Sequence, residues 1–216
     1  MIKTIAFGIR LILFITIPAT IGLIILRFPI VNTLWERGEF NRLTTEGTTI
    51  ALLYYSAGLC AFCGLKVIVP AFYSLQDTRT PAKVGIYSMI LNIVLNLILM
   101  GPLKHGGLAL ATSIAAIFNV TLLIYLLKKR IGLMGGRKIL SSIIKLFFLS
   151  GVMGIAVYFF NLTFFNPNYH LTLKILILSA DISIGILIYT LLSRLIQNEE
   201  LTFLIELTRK YKSKSN

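Results

Sequence analysis

The sequence predicts an all-α integral membrane protein with six transmembrane helices. Three observations carry this. The 216 residues are 56% hydrophobic and only 13% charged, whereas a soluble domain is about a quarter charged. The apolar residues come in six long blocks, each close to the ~20 residues that a helix needs to cross hydrocarbon. The blocks are continuous rather than alternating, which excludes the short dyad-repeat strands of a membrane barrel. Within lipid, a helix satisfies every backbone polar group inside its own segment.

The blocks follow in order at about 5–34, 49–75, 84–100, 107–127, 139–162 and 171–192. They make one six-helix membrane domain over 1–194. The first is too long for a secretory signal and has no small-residue cleavage site after it. "WERGEF" closes it, and "TTEG" offers a threonine cap with an acid in the first turn of the second. "MGPLKHGG" reads as a Gly/Pro stop and a tight restart between the third and fourth. "FNPNYH" is a short turn between the last two. Residues 195–216 form a basic amphipathic tail. There Leu201, Leu204, Ile205 and Thr208 share a helical face, suited to the inner membrane surface.

The formal net charge is +13. In a soluble protein that balance suggests nucleic acid. Here the basic residues lie between and after the apolar blocks, so their positions set topology and no nucleic-acid partner is expected. The side that holds the N-terminus receives Lys3, Arg10, Arg79, Lys83, Lys128, Lys129, Arg130, Arg137, Lys138, Arg194, Arg209, Lys210, Lys212 and Lys214. The opposite side receives Arg37, Arg42 and Lys104, with Glu36, Glu39 and Glu46 beside the first two. The positive-inside rule then puts both termini in the cytoplasm of a multi-pass inner-membrane protein.

Polar residues inside the blocks are the candidate functional groups. Cys60 and Cys63 form "CAFC", but His105 and His170 lie in other segments. With no complete ligand set and no accessible redox pair, the cysteines read as small helix residues, and no metal or cofactor is expected. No Ser/His/acid group or glycine-rich phosphate loop is present, so no catalytic residue is assigned. Asn92 and Asn96 stand four apart. Gly107, Ala111, Ala115 and Asn119 form a row at the same spacing, in which small residues let helices approach and an Asn bonds across the contact. Lys66 lies about nine residues from the inner end of its helix, within reach of the interface by snorkelling. Asp181 lies mid-helix between Ser179 and Ser183. A mid-membrane acid costs about 2.5–3.5 kcal/mol on insertion scales. It is a coupling site, or an acid kept paired or protonated against the bundle. Contact with Lys66 requires the second and sixth helices to touch.

An apolar run gives way to a polar cluster in "AFYSLQDTRTP", Ala71 to Pro81. Tyr73 suits the membrane interface. Pro81 suits the first turn of the third helix, and Asp77 and Arg79 are placed to pair with each other or to cap helix ends. The longer string "LKVIVPAFYSLQDTRTPAKV" resembles the MurJ (MviN) family of lipid II flippases, within the polysaccharide and multidrug exporter superfamily. "PIVNTLWERGEF" is similar to that family's loop after its ninth helix, and "NIVLNLILMGPLKHGGLALATSIAAIFN" to its eleventh and twelfth helices. The resemblance is continuous from about Pro18 to Asn119.

It implies a partial two-bundle fold, corresponding to family helices nine to fourteen. It also implies a signature loop at Gln76, Asp77, Arg79, Thr80 and Pro81, a retained basic position at Lys66, and lipid II as substrate in contact with membrane lipid. Family helices one, two, seven and eight line the cavity and carry the arginines that bind the diphosphate. None of them is in this chain, so no arginine here takes that role, and Lys66 and Asp181 remain the substrate-site candidates. The implied function is part of an alternating-access flippase, inactive without the missing helices, which are on another chain or lost from this one. The rival readings are another exporter of the superfamily, or a non-transporting membrane scaffold.

Overall fold

The first block lies within one helix, residues 2–35, which carries two prolines yet stays helical throughout. A proline inside a helix removes one donor and frees the carbonyl four residues earlier. Pro18 frees Phe14 O in this way, and the Tyr189 hydroxyl donates to that oxygen at 2.7 Å. The last transmembrane helix is thus tied to the first at the point where the backbone ladder is interrupted. The computed structural model describes residues 2–38, 40–132 and 136–214. Met1, Glu39, residues 133–135 and residues 215–216 lie outside it, as do the side chains of Ile2, Lys3, Arg137 and residues 207–214.

The helices are α1 (Ile2–Trp35), α2 (Arg42–Ser74), α3 (Arg79–Leu103), α4 (His105–Ile131), α5 (Gly136–Phe164), α6 (Leu171–Leu195) and α7 (Glu199–Lys214). Among the described residues, the first six are long and apolar enough to cross a membrane. At ~1.5 Å per residue, α1 is about 50 Å long, so its ends project beyond a ~30 Å hydrocarbon core. α2 starts earlier than its apolar block. Its N-cap is Asn41, whose Oδ1 accepts from the Thr44 N–H at 3.1 Å, so the "TTEG" threonines lie inside the first turn rather than capping it.

The spans pack in the order α3, α4, α2, α1, α5, with α6 against both α5 and α1. One core joins Phe14, Ile17 and Leu26 of α1 to Leu146, Leu149 and Met153 of α5 and Tyr189 of α6. The other joins Ile5 of α1 to Ile68 and Phe72 of α2, Val84 of α3, and Leu123 and Leu127 of α4. α1 is therefore the wall common to both. α7 folds back on the bundle. Leu201 and Leu204 pack against the first core, Phe203 meets Phe7 edge-on with ring centres 4.8 Å apart, and Arg10 reaches Glu199 at 2.9 Å and the buried Glu200 at 3.5 Å. Of the face expected to lie on the membrane, Leu201 and Leu204 thus meet the bundle instead, and Thr208 lies outside the described side chains.

α2 and α4 approach closely where their small residues meet. Ser113 Oγ donates to Tyr54 O at 2.7 Å, and a Cβ at Gly58 would lie 2.5 Å from that hydroxyl. Gly58→Ala is expected to cost roughly 1–3 kcal/mol, the range for overpacking a filled contact. Thermal unfolding of the purified chain in detergent measures it. Adding Ser113→Gly should recover part of the loss, because it removes two of the three close atoms, leaving the Phe62 ring edge at 2.9 Å.

Candidate functional site

Asp181 has no exposed surface, although it lies mid-span. Its Oδ2 accepts from Asn161 Nδ2 of α5 at 2.7 Å, whereas Oδ1 has no partner. Lys66 is not that partner: it is exposed on α2, which packs on α1 and α4. The two candidates are therefore apart. Asp181 borders an apolar groove of about 510 Å³ between α1 and α6, floored by Met153 and Val157 of α5. Phe14, Leu23, Leu26, Ile186 and Tyr189 form its sides. Apart from the one carboxyl group, the groove offers hydrocarbon a matching surface.

On α3 and α4 the polar residues form a short ladder. Asn96 Nδ2 donates to Asn92 Oδ1 at 2.8 Å, and Asn92 Nδ2 donates across to Thr112 Oγ1 at 3.3 Å. Ser88 Oγ, four residues before Asn92, donates to Ala115 O at 2.7 Å. Ala111 and Ala115 are buried, and a Cβ on Gly107 would overlap the Leu99 carbonyl. Asn119 Oδ1 is buried without a hydrogen-bond partner, so the row ends without the bond across helices that its spacing suggests. Cys60 Sγ lies 3.7 Å from Thr20 Oγ1, and both cysteines are free thiols.

The signature loop is built from backbone outward. α2 ends in a left-handed residue, Gln76 at φ 56°. Gln76 N–H donates to Tyr73 O and Asp77 N–H to Phe72 O, which is the paired closure normally given to glycine. The turn aims Asp77 at the start of α3, where Oδ1 accepts from Thr80 N–H at 3.0 Å and Oδ2 from Thr80 Oγ1 at 2.6 Å. Pro81 follows in the first turn, where its missing donor is not needed. Asp77 pairs with Arg130 at the end of α4, at 2.7 Å, and not with Arg79, which stands exposed at the first residue of α3. One carboxylate thus caps α3 and fastens α4 to the loop. The sequence placed the acid correctly but missed Arg130, which is remote in the chain and lies in a run of three cations.

The Thr80 hydroxyl, then its N–H, and after a smaller opposing effect of burial the Arg130 guanidinium, hold the Asp77 carboxyl below the usual carboxylate range. A group with a depressed folded pKa stabilises the fold above its unfolded pKa of about 3.9, and that contribution is lost as pH falls through the lower folded value. Asp77→Asn should therefore lower the melting temperature at pH 6, and its deficit should shrink as the pH is taken down through 4 toward 3. Melting curves of the two proteins across that range test the sign.

The chain matches the family model described as lipid II flippase MurJ over residues 1–180. It is 46% identical over 116 residues to the probable lipid II flippase MurJ of Rickettsia prowazekii, which is 54% of this chain and 23% of that protein. It is 45% identical over 120 residues to the Vibrio cholerae protein of the same description, 56% of this chain and 23% of the relative. For the Haemophilus influenzae relative the identity is 33% over 158 residues, 73% of this chain and 31% of the relative. A solved lipid II flippase MurJ in an inward closed conformation superposes with a TM-score of 0.71 at 27% identity, covering 90% of this chain and 42% of that one. The chain therefore spans a minor part of the length of the curated relatives it matches. With most of its length inside the family model and its six spans on a flippase fold, this multi-pass membrane chain belongs to the MurJ family of lipid II flippases.

Proposed function

We propose that this chain forms the C-terminal portion of a lipid II flippase, family helices nine to fourteen, and moves the lipid-linked peptidoglycan precursor only together with helices corresponding to the rest of the family's fold. The observation that carries this reading is the match over residues 1–180 combined with a fold that accounts for 42% of a solved flippase. The activity is transport, with no covalent step. A diphosphate crossing hydrocarbon needs fixed cations in a water-lined cavity. The described spans offer Lys66 as a deep cation, exposed on the surface of α2, and one lysine does not replace a cluster. The apolar groove between α1, α5 and α6 suits the long isoprenoid tail of such a substrate. Asp181, bonded to Asn161, serves there to hold α5 and α6 in register.

Alternating access requires two bundles that rock against each other. The chain supplies four helices of one bundle, α1 to α4, and two appended to it, α5 and α6. In vesicles with labelled lipid II, the 216-residue chain alone should give the protein-free background rate. Co-expression with the missing helices should be needed for flipping. Robust flipping by the chain alone would overturn the reading.

Orientation follows from the lysine and arginine bias, with both termini in the cytoplasm. The test uses single cysteines at two exposed positions, Arg37→Cys and Lys128→Cys, in a background where Cys60 and Cys63 are alanine. An impermeant maleimide added to spheroplasts should label position 37 and leave position 128 unlabelled until lysis. The reverse pattern would invert the topology.

A further inference from the structure

We propose that the cleft between α3 and α4, beside the signature loop, is a binding site for an anionic phospholipid headgroup with one acyl chain laid inward. The cleft has a volume of about 390 Å³. α3 presents Thr80, Lys83, Val84 and Tyr87 to it, a three-and-four spacing that keeps them on one face. α4 presents Leu122, Leu126, Lys129 and Arg130 at the same spacing. α3 runs away from the loop and α4 runs toward it. The antiparallel register, fixed where Ser88 meets Ala115 O and Asn92 meets Thr112, leaves Lys129 and Arg130 at the mouth and sets Lys83 about level with Leu122, roughly 10 Å further in at ~1.5 Å per residue. Thr80 and Leu126 lie between these levels, Val84 and Tyr87 lie deeper, and a lysine stem at position 83 can lie along the apolar wall and carry its ammonium back toward the mouth. The cleft is cationic where a headgroup sits and apolar where a chain runs.

The charge at the mouth is unbalanced. Three cations face one acid, Asp77, which is held by Thr80 and Arg130. Neither lysine is joined to an acid by any ion pair among the described residues. Three minus one leaves +2, which favours a phosphate without a compensating amine. A zwitterionic headgroup would bring its own ammonium against the lysines. The source of the phosphate is set by the walls. Outward from the cleft, α3 exposes Ile86, Ile90, Ile93 and Leu97, a surface for hydrocarbon, and Tyr87 at the inner end of the cleft is itself 58% exposed. A lipid enters sideways from the bilayer, and a soluble phosphate would leave Leu122 and Leu126 uncovered. The bound phosphate would share Arg130 with Asp77, so the lipid becomes a second tie between the signature loop and the end of α4. None of this depends on which leaflet the loop meets or on the transport reading.

Native mass spectrometry of the full chain tests it, with titrations of phosphatidylglycerol and phosphatidylcholine of identical chains. The expected result is a preference of about fivefold or more for phosphatidylglycerol. Lys83→Gln with Lys129→Gln should abolish the preference. Lys128→Gln with Lys145→Gln, which removes two exposed cations outside the cleft, should retain it. Leu122→Trp, which fills the apolar part and leaves the charges, should weaken both lipids. Inorganic phosphate at the lipid concentration should not compete. Equal retention of the two lipids, equal loss from both lysine pairs, or displacement by free phosphate would each overturn the proposal. Melting curves confirm that each variant is folded before it is scored.

Discussion

The constraint on which this structure depends is that no backbone polar group can be left unpaired in hydrocarbon. Six long helices are the direct answer. The side chains then repair or reinforce the ladder. Ser56, Thr163, Ser183 and Thr190 turn their hydroxyls back to the carbonyls four residues earlier, so each brings its polar group into lipid already bonded. Where Pro18 breaks the ladder, the released Phe14 carbonyl does not go unbonded, because Tyr189 meets it from α6. A local defect in α1 becomes a contact that fixes α6 against α1 and completes the core shared by α1, α5 and α6.

The same demand shapes the ends. α2 and α6 both stop on a left-handed glutamine, Gln76 and Gln197. In both, the following residue closes back on the last turn, Asp77 to Phe72 O and Asn198 to Ser193 O. The carbonyls are thus satisfied without glycine, at the conformational cost of a side chain in αL. The reversals are four and three residues long, and each delivers an acid to the start of the next helix, where it takes a basic partner. Asp77 takes Arg130, and Glu199 and Glu200 take Arg10. The loop that carries the family signature and the joint that docks α7 are two uses of one device: a tight stop followed by an ion pair to a helix remote in sequence, with a side-chain cap added at α3.

Much of this was legible in advance because lipid acts on composition. The six spans follow from block length alone, and the place of Pro81 follows from its missing donor. The ends were less legible. The second apolar block starts near residue 49, whereas α2 starts at Arg42, because Asn41 caps a polar first turn that hydropathy does not register. The second block ends at 75, within a residue of Ser74, but the left-handed stops at Gln76 and Gln197 were not legible because the usual marker, glycine, is absent. Partners were the least legible. Asp181 stands out in any reading of the sequence, but Asn161, which bonds it, is one amide near the end of an apolar helix. Pairing between helices is set by the rotation of each about its axis, which single-residue spacing does not determine when the helix is apolar all round.

Apolar exposure says little about what covers each helix, since lipid and a neighbouring helix both suit leucine. Polar exposure says more. Lys66 is exposed in the course of a span, and Asn92, Asn96 and Thr112 form a half-exposed ladder along the α3–α4 contact. Against acyl chains, such groups have no outside partner and must either snorkel or bond among themselves. Asn92 and Asn96 do bond, to each other and to Thr112, although Asn96 Oδ1 is left without a partner. Lys66 is different: its partner, if it is to have one in the membrane, comes from outside these helices, by reaching the interface or by meeting another protein segment. The position that resembles a retained basic site of the family is thus one that this chain leaves open, in keeping with a chain that accounts for 42% of the solved flippase.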